Sequence, residues 1–316
     1  KQNKTKVLQE LLPQFIQDIQ NPSKDVKLNY YIVKFLNEKQ HITKDITYNR
    51  YSDIVKNLIG KQFGSKQLCN IKPSTIKSFC SEQYNLGKSA KTVELYLTVL
   101  GGVLQEAVYD GVLDSNPVRN VKRKKKTKSS IQPFSPSEVK LLLDNCSGWF
   151  RNYVGLASNL GLRSGELIGL KWDDITATHI NIQRTRDRGV NTSPKTASSI
   201  REIPIFNAIE EYLSNQRTIT GNYEYVFISY RKQPFANSGA ICQHHWYPLL
   251  DKVNLSRRRI YELRHTFATN MLNSGHFKVT EIAHLMGHTT TEYLFNVYSK
   301  YIESEKNTIP LDKAIY

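Results

Sequence analysis

The chain has few of the residues that build disulfide frameworks, zinc sites or membrane spans. It contains four cysteines in 316 residues, and these lie far apart without a Cys-x-x-Cys pair: Cys69, Cys80, Cys146 and Cys242. This spacing excludes a zinc knuckle and a disulfide framework and is typical of free thiols in a reducing compartment. No apolar stretch approaches the roughly 18 residues of a membrane span, and no signal-peptide pattern opens the chain. We expect a soluble, intracellular protein without membrane contact.

Histidine pairs are the remaining candidates for metal ligands. His244 and His245 are adjacent, and His284 and His288 are four residues apart. Adjacent histidines point in different directions, and a lone His-x-x-x-His lacks the glutamate of a zincin motif. A glycine-rich loop for ATP is also missing. We therefore expect neither a metal site nor a cofactor.

Acidic residues are scarce relative to basic ones. The chain has 44 Lys and Arg against 28 Asp and Glu, a net charge of +16. This surplus favours a polyanionic partner, because each phosphate that is neutralised releases counterions. Charge alone does not separate a nucleic acid from a membrane surface or from general solubility. Hydrophobic residues make up 39% and aromatics 10%, which excludes wholesale disorder, and the length favours two domains.

A basic run marks the clearest boundary in the chain. Its basic residues are Lys122, Arg123, Lys124, Lys125, Lys126 and Lys128. Like charges repel, so the run predicts an extended linker over 122–132. It can serve as a solvated hinge, as a strap along a phosphate backbone, or as both.

The residues before the basic run show helical spacing throughout. Apolar periodicity predicts helices over 5–20, 26–36, 42–59, 74–79 and 90–109. We interpret this half as an N-terminal helical extension at 1–40 followed by an all-α domain at 41–121.

The residues after the run combine helices with a small sheet. Ser135-Pro136-Ser137-Glu138 forms a capping box that predicts a helix start, and alternation over 180–184 and 201–205 predicts a β-hairpin with a long polar turn. Further helices are predicted over 150–160, 164–169, 241–252, 261–273, 279–286 and 291–302, and 225–229 is a candidate strand. We expect one domain at 133–302, a tail at 303–316, and a mainly α (α+β) fold with a small antiparallel sheet.

Four motifs in the second domain carry the candidate chemistry. The string 161–166 places an arginine at a helix start, beside free backbone N–H groups that suit a phosphate. The second motif is a lysine in the hairpin turn. The third is a tyrosine and an arginine three residues apart, which share a helical face. The fourth is a glycine–histidine pair, followed by a tyrosine ten residues after the histidine. Taken singly, the first two motifs are also typical of solvated side chains. The candidate residues are Arg163, Glu166, Lys195, Tyr261, Arg264, His265, His288 and Tyr298.

Together these residues resemble the catalytic set of tyrosine recombinases, the phage and transposon integrase family. Their order and spacing match, as do the strings Gly-Leu-Arg-Ser-Gly-Glu, Leu-Arg-His-Thr-Phe-Ala-Thr and Leu-Met-Gly-His. The resemblance covers essentially the whole second domain, and the helical domain ending in Asp114-Ser115-Asn116-Pro117 resembles the core-binding domain of such enzymes. It implies the tyrosine recombinase fold, with a core-binding, DNA-binding domain at 41–121 and a catalytic domain at 133–302.

The resemblance also implies a reaction that needs neither metal nor ATP. Tyr298 would attack the scissile phosphate and form a 3′-phosphotyrosyl link, with Tyr293 and Tyr301 as the neighbouring alternatives. Arg163 and Arg264 would hold the non-bridging oxygens. The remaining roles would fall to Lys195 as proton donor to the 5′ oxygen and His288 as a hydrogen-bonding partner of the phosphate.

Two residues are expected to support this set, and one departs from the family pattern. Glu166 either holds Arg163 in place or is a surface charge, and His265 faces away from Arg264 as a packed residue. The family usually has histidine at the position of Tyr261. A tyrosine can donate a hydrogen bond to a phosphate, but with a pKa of about 10 it is a poor base near neutrality.

The resemblance favours the integrase of a phage or integrative element. A Xer-type dimer resolvase, a type IB topoisomerase and a non-catalytic DNA-binding regulator are the alternatives. We expect double-stranded attachment-site DNA as partner, a monomer in solution that forms a homotetramer on DNA, and excisionase or DNA-bending accessory proteins, all in the bacterial cytoplasm or nucleoid. The tail is expected to dock on a neighbouring subunit through Leu311 and Ile315, and an arm-binding region could precede the first lysine.

Overall fold

The computed structural model describes residues 26–125, 131–192 and 197–298. The chain divides into two compact units, Lys1–Ser129 and Ser130–Tyr316. The division falls inside the predicted linker. The predicted helix over 5–20 and the tail with Leu311 and Ile315 lie outside the described residues.

The described part of the first unit is built from helices. They are α1 Leu28–Ile42, α2 Asp45–Ile54, α3 Gly60–Phe63, α4 Pro73–Asn85 and α5 Ala90–Tyr109, with a π-helical turn Val55–Ile59 that joins α2 to α3. The N-terminus of α5 is capped by Ser89, whose side chain accepts a hydrogen bond from the Thr92 backbone. This agrees with the predicted all-α half.

The predicted boundary at residue 40 is wrong. Helix α1 runs across it and buries the side chains of Leu28, Ile32 and Phe35. These side chains belong to the same hydrophobic core as Val93 and Leu100 of α5. Residues 26–40 therefore share one core with the helices that follow.

The second unit is mostly helical. Its helices are α6 Pro136–Asp144, α7 Gly148–Leu160, α8 Ser164–Ile168, α9 Asn207–Thr220, α10 Gly239–Ile241, α11 Tyr247–Lys252, α12 Glu262–Ser274, α13 Val279–Met286 and α14 Glu292–Tyr298. A π-helical turn, Cys242–Trp246, joins α10 to α11. The predicted capping box is confirmed, because Ser135 and Glu138 exchange side chain-to-backbone hydrogen bonds. Helix α9 was not predicted.

Two short antiparallel hairpins accompany these helices. The strands are β1 His179–Ile182, β2 Thr185–Asp187, β3 Val190–Thr192 and β4 Arg201–Pro204. Strand β1 pairs with β4 and confirms the predicted hairpin, while β2 pairs with β3 inside its turn. The candidate strand at 225–229 is absent, because Tyr225 makes only an isolated bridge to Lys171.

The start of the second unit forms hydrogen bonds with side chains of α12. The backbone N–H of Gln132 donates to Glu262 Oε2 at 3.0 Å, and that of Phe134 donates to Thr266 Oγ1 at 2.8 Å. The guanidinium of Arg258 lies 3.7 Å from the centre of the Phe134 ring. Among the described residues, no helix is long and apolar enough to cross a membrane.

Candidate active site

A tight turn between α7 and α8 positions Arg163. Helix α7 ends at Gly161 in the left-handed region, where a Cβ atom would lie 2.3 Å from the Phe267 ring. The chain then turns so that Arg163 directly precedes α8. Its guanidinium donates to Glu166 Oε1 at 2.6 Å and to the carbonyl of Gly287 at 3.2 Å. These contacts fix a half-buried guanidinium from two sides.

Glu166 is a buried carboxylate between two arginines. Its Oε2 accepts hydrogen bonds from the Arg163 backbone at 3.0 Å and from Arg201 Nη2 at 3.1 Å. Burial alone would raise the pKa of this carboxyl, but the charges of Arg201 and Arg163 hold the pKa below its usual value. Glu166 is therefore ionised and buried, and not a surface charge.

Arg201 is a site residue that sequence reasoning missed. Its side chain is fully buried, and beyond Glu166 it donates to the carbonyls of Leu285 at 2.7 Å and Ser199 at 3.0 Å. It thereby joins the base of the β1–β4 hairpin to the end of α13 and to the carboxylate that holds Arg163. The sequence did contain one indication of its role. Side chains alternate between the two faces of a strand, so Arg201 lies on the same buried face of β4 as Ile203, two residues later.

Arg264 and His288 meet at the centre of this arrangement. Arg264 is buried in the first turn of α12 and donates to the carbonyls of Gly161 and Met286 and, at 2.9 Å, to His288 Nε2. Since a guanidinium can only donate, the ring of His288 accepts through Nε2. Burial, followed by the charges of Arg264, Arg163 and Arg201, lowers the pKa of His288 to about 4, against a smaller opposing effect of Glu166.

The turn that presents His288 requires a glycine. Gly287 ends α13 with φ of 66°, and a Cβ there would lie 2.9 Å from Arg201 Nη1. The left-handed turn sets His288 beside Arg264, and the close approach lets Arg201 reach α13. Arg163 and Tyr261 line one open pocket next to this network.

His288 is expected to lower the stability of the second unit at acid pH. Its pKa is about 6.5 in the unfolded chain and about 4 in the folded one. Between these values the unfolded chain binds the extra proton, so the free energy of unfolding is highest above pH 6.5 and falls as the pH drops towards 4. After allowance for partial exposure, the loss between pH 7 and pH 5 should be roughly 1–2 kcal/mol.

Urea unfolding followed by tryptophan fluorescence measures this loss. The three tryptophans, Trp149, Trp172 and Trp246, all lie in the second unit. His288→Asn should flatten the acid dependence, although His265, whose pKa is also lowered by burial, contributes in the same sense. His284→Asn, which removes an exposed imidazole from α13, should leave it unchanged. Parallel pH curves for the wild type and His288→Asn would contradict the prediction.

A second cluster of rings lies on another side of α12. The Tyr298 hydroxyl is 2.6 Å from His265 Nδ1, and both side chains are buried. The Tyr261 ring contacts the edge of the His265 ring, with centroids 5.2 Å apart. His265 is thus packed as predicted, and its neighbour is the candidate nucleophile.

Other predicted site residues are placed only in part. Lys195, Lys126 and Lys128 lie outside the described residues. Of the basic run, Lys122–Lys125 are exposed. Arg123 pairs with Glu94 at 3.2 Å, and Lys124 lies over the Tyr84 ring. Within residues 26–125, 131–192 and 197–298, no group of three or more potential metal ligands occurs.

Comparison with known protein families identifies the family to which this chain belongs. The sequence pattern described as the phage integrase family matches residues 120–305. The chain belongs to the phage integrase family. The expectation of a tyrosine recombinase, an enzyme that cleaves and religates DNA, is thereby confirmed.

Relatives and solved structures of this integrase-family protein agree. Prophage integrase IntR of Escherichia coli is 26% identical over 284 residues, 82% of this chain and 67% of that protein. A XerC-like tyrosine recombinase of Caldanaerobacter subterraneus is 26% identical over 301 residues, 83% of this chain and 76% of that protein. A lambda integrase tetramer bound to a Holliday junction matches with a TM-score of 0.70 at 21% identity, over 86% of this chain and 80% of that one. The structural match confirms the predicted fold class.

Proposed function

We propose that this tyrosine recombinase is the integrase of a phage or integrative element and that it acts on double-stranded attachment sites in the bacterial cytoplasm. One observation carries the proposal: Arg163 and Arg264 both donate hydrogen bonds to carbonyls at the end of α13, and Arg264 also donates to His288. Two guanidiniums and a neutral imidazole suit a phosphodiester anion, because all three can supply hydrogen bonds to its oxygens. The pocket beside them, which Tyr261 also lines, is the proposed place of the scissile phosphate.

The reaction proceeds by attack of a tyrosine on phosphorus. The oxygen of Tyr298 bonds to the phosphate as it loses its proton, the bond to the 5′ oxygen breaks, and Lys195 gives that oxygen a proton. The products are a 3′-phosphotyrosyl enzyme and a free 5′-hydroxyl, and religation reverses each step. The side chain of Tyr298 is fully buried beside His265, so DNA binding has to give the phosphate access to its hydroxyl.

The surrounding residues hold the phosphate-binding groups in position. Glu166 holds Arg163 and is itself held by Arg201, and both Glu166 and Arg201 are buried, so the site is organised before DNA arrives. Such preorganised donors contribute about 3 kcal/mol each to transition-state stabilisation. Tyr261 supplies a hydroxyl that can donate to a phosphate oxygen, while a phenol is a poor proton acceptor near neutral pH.

DNA is also the partner that the charge distribution favours. We propose that the helical domain, whose core includes residues 26–40 and which ends at residue 121, is a core-binding domain. We also propose that 133–302 is the catalytic domain and that the six basic residues of 122–128 contact the phosphate backbone. Since a lambda integrase of similar fold forms a tetramer on a Holliday junction, we propose a homotetramer on DNA and a monomer in solution. Excisionase and DNA-bending proteins complete the proposed set of partners.

A Xer-type resolvase is the second candidate, because a XerC-like recombinase is as similar in sequence as the prophage integrase. The two differ in their DNA: an integrase joins an element to a chromosome, whereas a resolvase separates chromosome or plasmid dimers. The test uses two plasmids that carry the sequences at which the integrated element joins the chromosome, called the chromosomal junctions here. Recombination between these plasmids would support the integrase. Resolution of plasmid dimers without those junctions favours the resolvase.

Tyr298→Phe tests the proposed function. The variant should form no detergent-stable covalent adduct with a supercoiled plasmid that carries the chromosomal junctions, because it lacks the attacking hydroxyl. It should still bind the plasmid. Tyr293→Phe and Tyr301→Phe are matched controls that should keep adduct formation. An adduct formed by Tyr298→Phe would refute the assignment.

A further inference from the structure

The contact between His265 and Tyr298 has a geometry suited to proton transfer. The Tyr298 hydroxyl lies 2.6 Å from His265 Nδ1, well within the range for direct transfer along a hydrogen bond. His265 is 5% exposed and Tyr298 is fully buried, so bulk water does not compete for the phenolic hydrogen. The contact joins residues 33 positions apart on two different helices.

His265 occupies a different side of α12 from Arg264. Successive residues of a helix point about 100° apart, so Arg264 reaches His288 while His265 reaches Tyr298. One helix thereby serves two parts of the proposed reaction. Its first turn supplies both a guanidinium for the phosphate and an imidazole for the nucleophile.

The surroundings of His265 keep its imidazole neutral. Burial lowers the pKa of His265 below its ordinary value of 6.5, the carboxylate of Glu262 opposes this shift, and Arg264 and Arg259 add to it. The other titratable groups against the ring are the phenols of Tyr261 and Tyr298. A neutral imidazole has one nitrogen that can accept a proton at neutral pH.

Other candidates for the base are less suitable. The Nε2 atom of His288 already accepts from Arg264, and the pKa of about 4 makes His288 a weak base. Tyr261 is a phenol. The oxygens of Glu262 accept from the Gln132 backbone at 3.0 Å and from Arg259 at 3.3 Å.

We propose that His265 is the general base that takes the phenolic proton of Tyr298, a role that Tyr261 cannot fill. This inference rests on the proposed function, in which Tyr298 is the nucleophile. As the tyrosine oxygen bonds to phosphorus, its proton moves to His265 Nδ1 and the imidazole becomes a cation. During religation the bond between tyrosine and phosphorus breaks, and the same proton returns to the phenolate oxygen.

His265→Asn removes the base and keeps an acceptor. The asparagine Oδ1 can lie near the position of Nδ1 and accept the hydroxyl hydrogen, but it cannot hold the proton. The probe is a duplex oligonucleotide spanning the cleavage position mapped on the junction plasmid, with sulfur in place of the bridging 5′ oxygen. A thiolate leaves without a proton donor, so cleavage of this probe reports activation of Tyr298 and not the action of Lys195.

Single-turnover cleavage between pH 5 and pH 9 gives the decisive profile. The wild-type rate should fall at acid pH as His265 becomes protonated. His265→Asn should be about 10²- to 10³-fold slower at pH 7 and should lose this acid limb. His284→Asn, with one exposed imidazole removed, should keep the wild-type rate and profile.

A wild-type rate and an intact acid limb in His265→Asn would overturn the inference. If that variant does not fold, long-range hydrogen–nitrogen NMR spectra of the wild-type histidines provide a second measurement. The His265 signals are assigned there through the contact of its ring with the Tyr261 ring. The inference requires the hydrogen on Nε2, and a hydrogen on Nδ1 would refute it. Adducts formed by Tyr298→Phe would instead contradict the proposed nucleophile, which separates the two failures.

Discussion

Arg264→Lys is expected to slow DNA strand cleavage by about 10²- to 10³-fold, the loss typical of removing one preorganised donor from a developing anion. The guanidinium of Arg264 bonds Gly161, Met286 and His288 with nitrogens in one plane. A lysine has a single nitrogen and cannot reproduce that fork. It would leave a buried carbonyl without a donor and His288 without its fixed orientation.

Rates of covalent adduct formation on the junction plasmid, at saturating protein, measure the effect of Arg264→Lys. Tryptophan fluorescence establishes a temperature at which the variant and the wild type are both folded. Arg257→Lys is the matched control, because Arg257 is exposed and pairs with Asp251 at the surface. The control should cleave at nearly the wild-type rate. Equal rates for Arg264→Lys and the wild type would exclude Arg264 from the phosphate site.

Glu166→Gln is expected to destabilise the second unit by about 3–5 kcal/mol, the usual cost of removing one partner of a buried ion pair. Glutamine keeps the shape but leaves the guanidinium of Arg201, whose side chain is fully buried, without a counter-charge. The same change also releases Arg163 from its 2.6 Å contact, so the cleavage rate should fall too.

Urea unfolding followed by tryptophan fluorescence measures the cost of Glu166→Gln. Glu224→Gln is the surface control, because Glu224 is exposed and pairs with Lys171, and it should cost less than about 1 kcal/mol. Glu166→Gln combined with Arg201→Met should recover part of the stability, since no buried charge is then left without a partner. A loss below about 1 kcal/mol in Glu166→Gln would show that the pair is not held as described.

Local sequence signals predicted the elements that begin with a capping motif or have a complete hydrophobic pattern. The capping box at Ser135 and the alternation that pairs β1 with β4 both appear in the structure. Helix α9 was missed because its buried face is half polar. Ile209 and Leu213 are followed on that face by Gln216 and Thr220, which bond the Val226 carbonyl. A search for apolar periodicity does not detect such a face.

The unpredicted strands β2 and β3 and the wrong domain boundary at residue 40 also have specific causes. Strands β2 and β3 have three residues each and bury little, so they show no clear alternation. The boundary at residue 40 failed because the apolar face of α1 is completed by α5, about 60 positions along the chain. Spacing within one segment does not reveal such a partner.

The candidate site divides in a similar way. Arg163, Glu166, Arg264 and His288 could be named from motifs, and the structure brings them together. Arg201 and the contact of His265 with Tyr298 depend on distant segments meeting in space, so no local motif predicts them. Buried polar groups of this kind are satisfied by tertiary partners that only the fold supplies.

The attachment of residues 132–134 to α12 has a mechanical consequence. Glu262 and Thr266 hold the backbone at the end of the linker, and Arg264 and His265 lie between them on the same helix. A displacement of residues 132–134 would therefore act on the helix that carries Arg264 and His265. We therefore expect a change in linker length to alter the positions of Arg264 and His265.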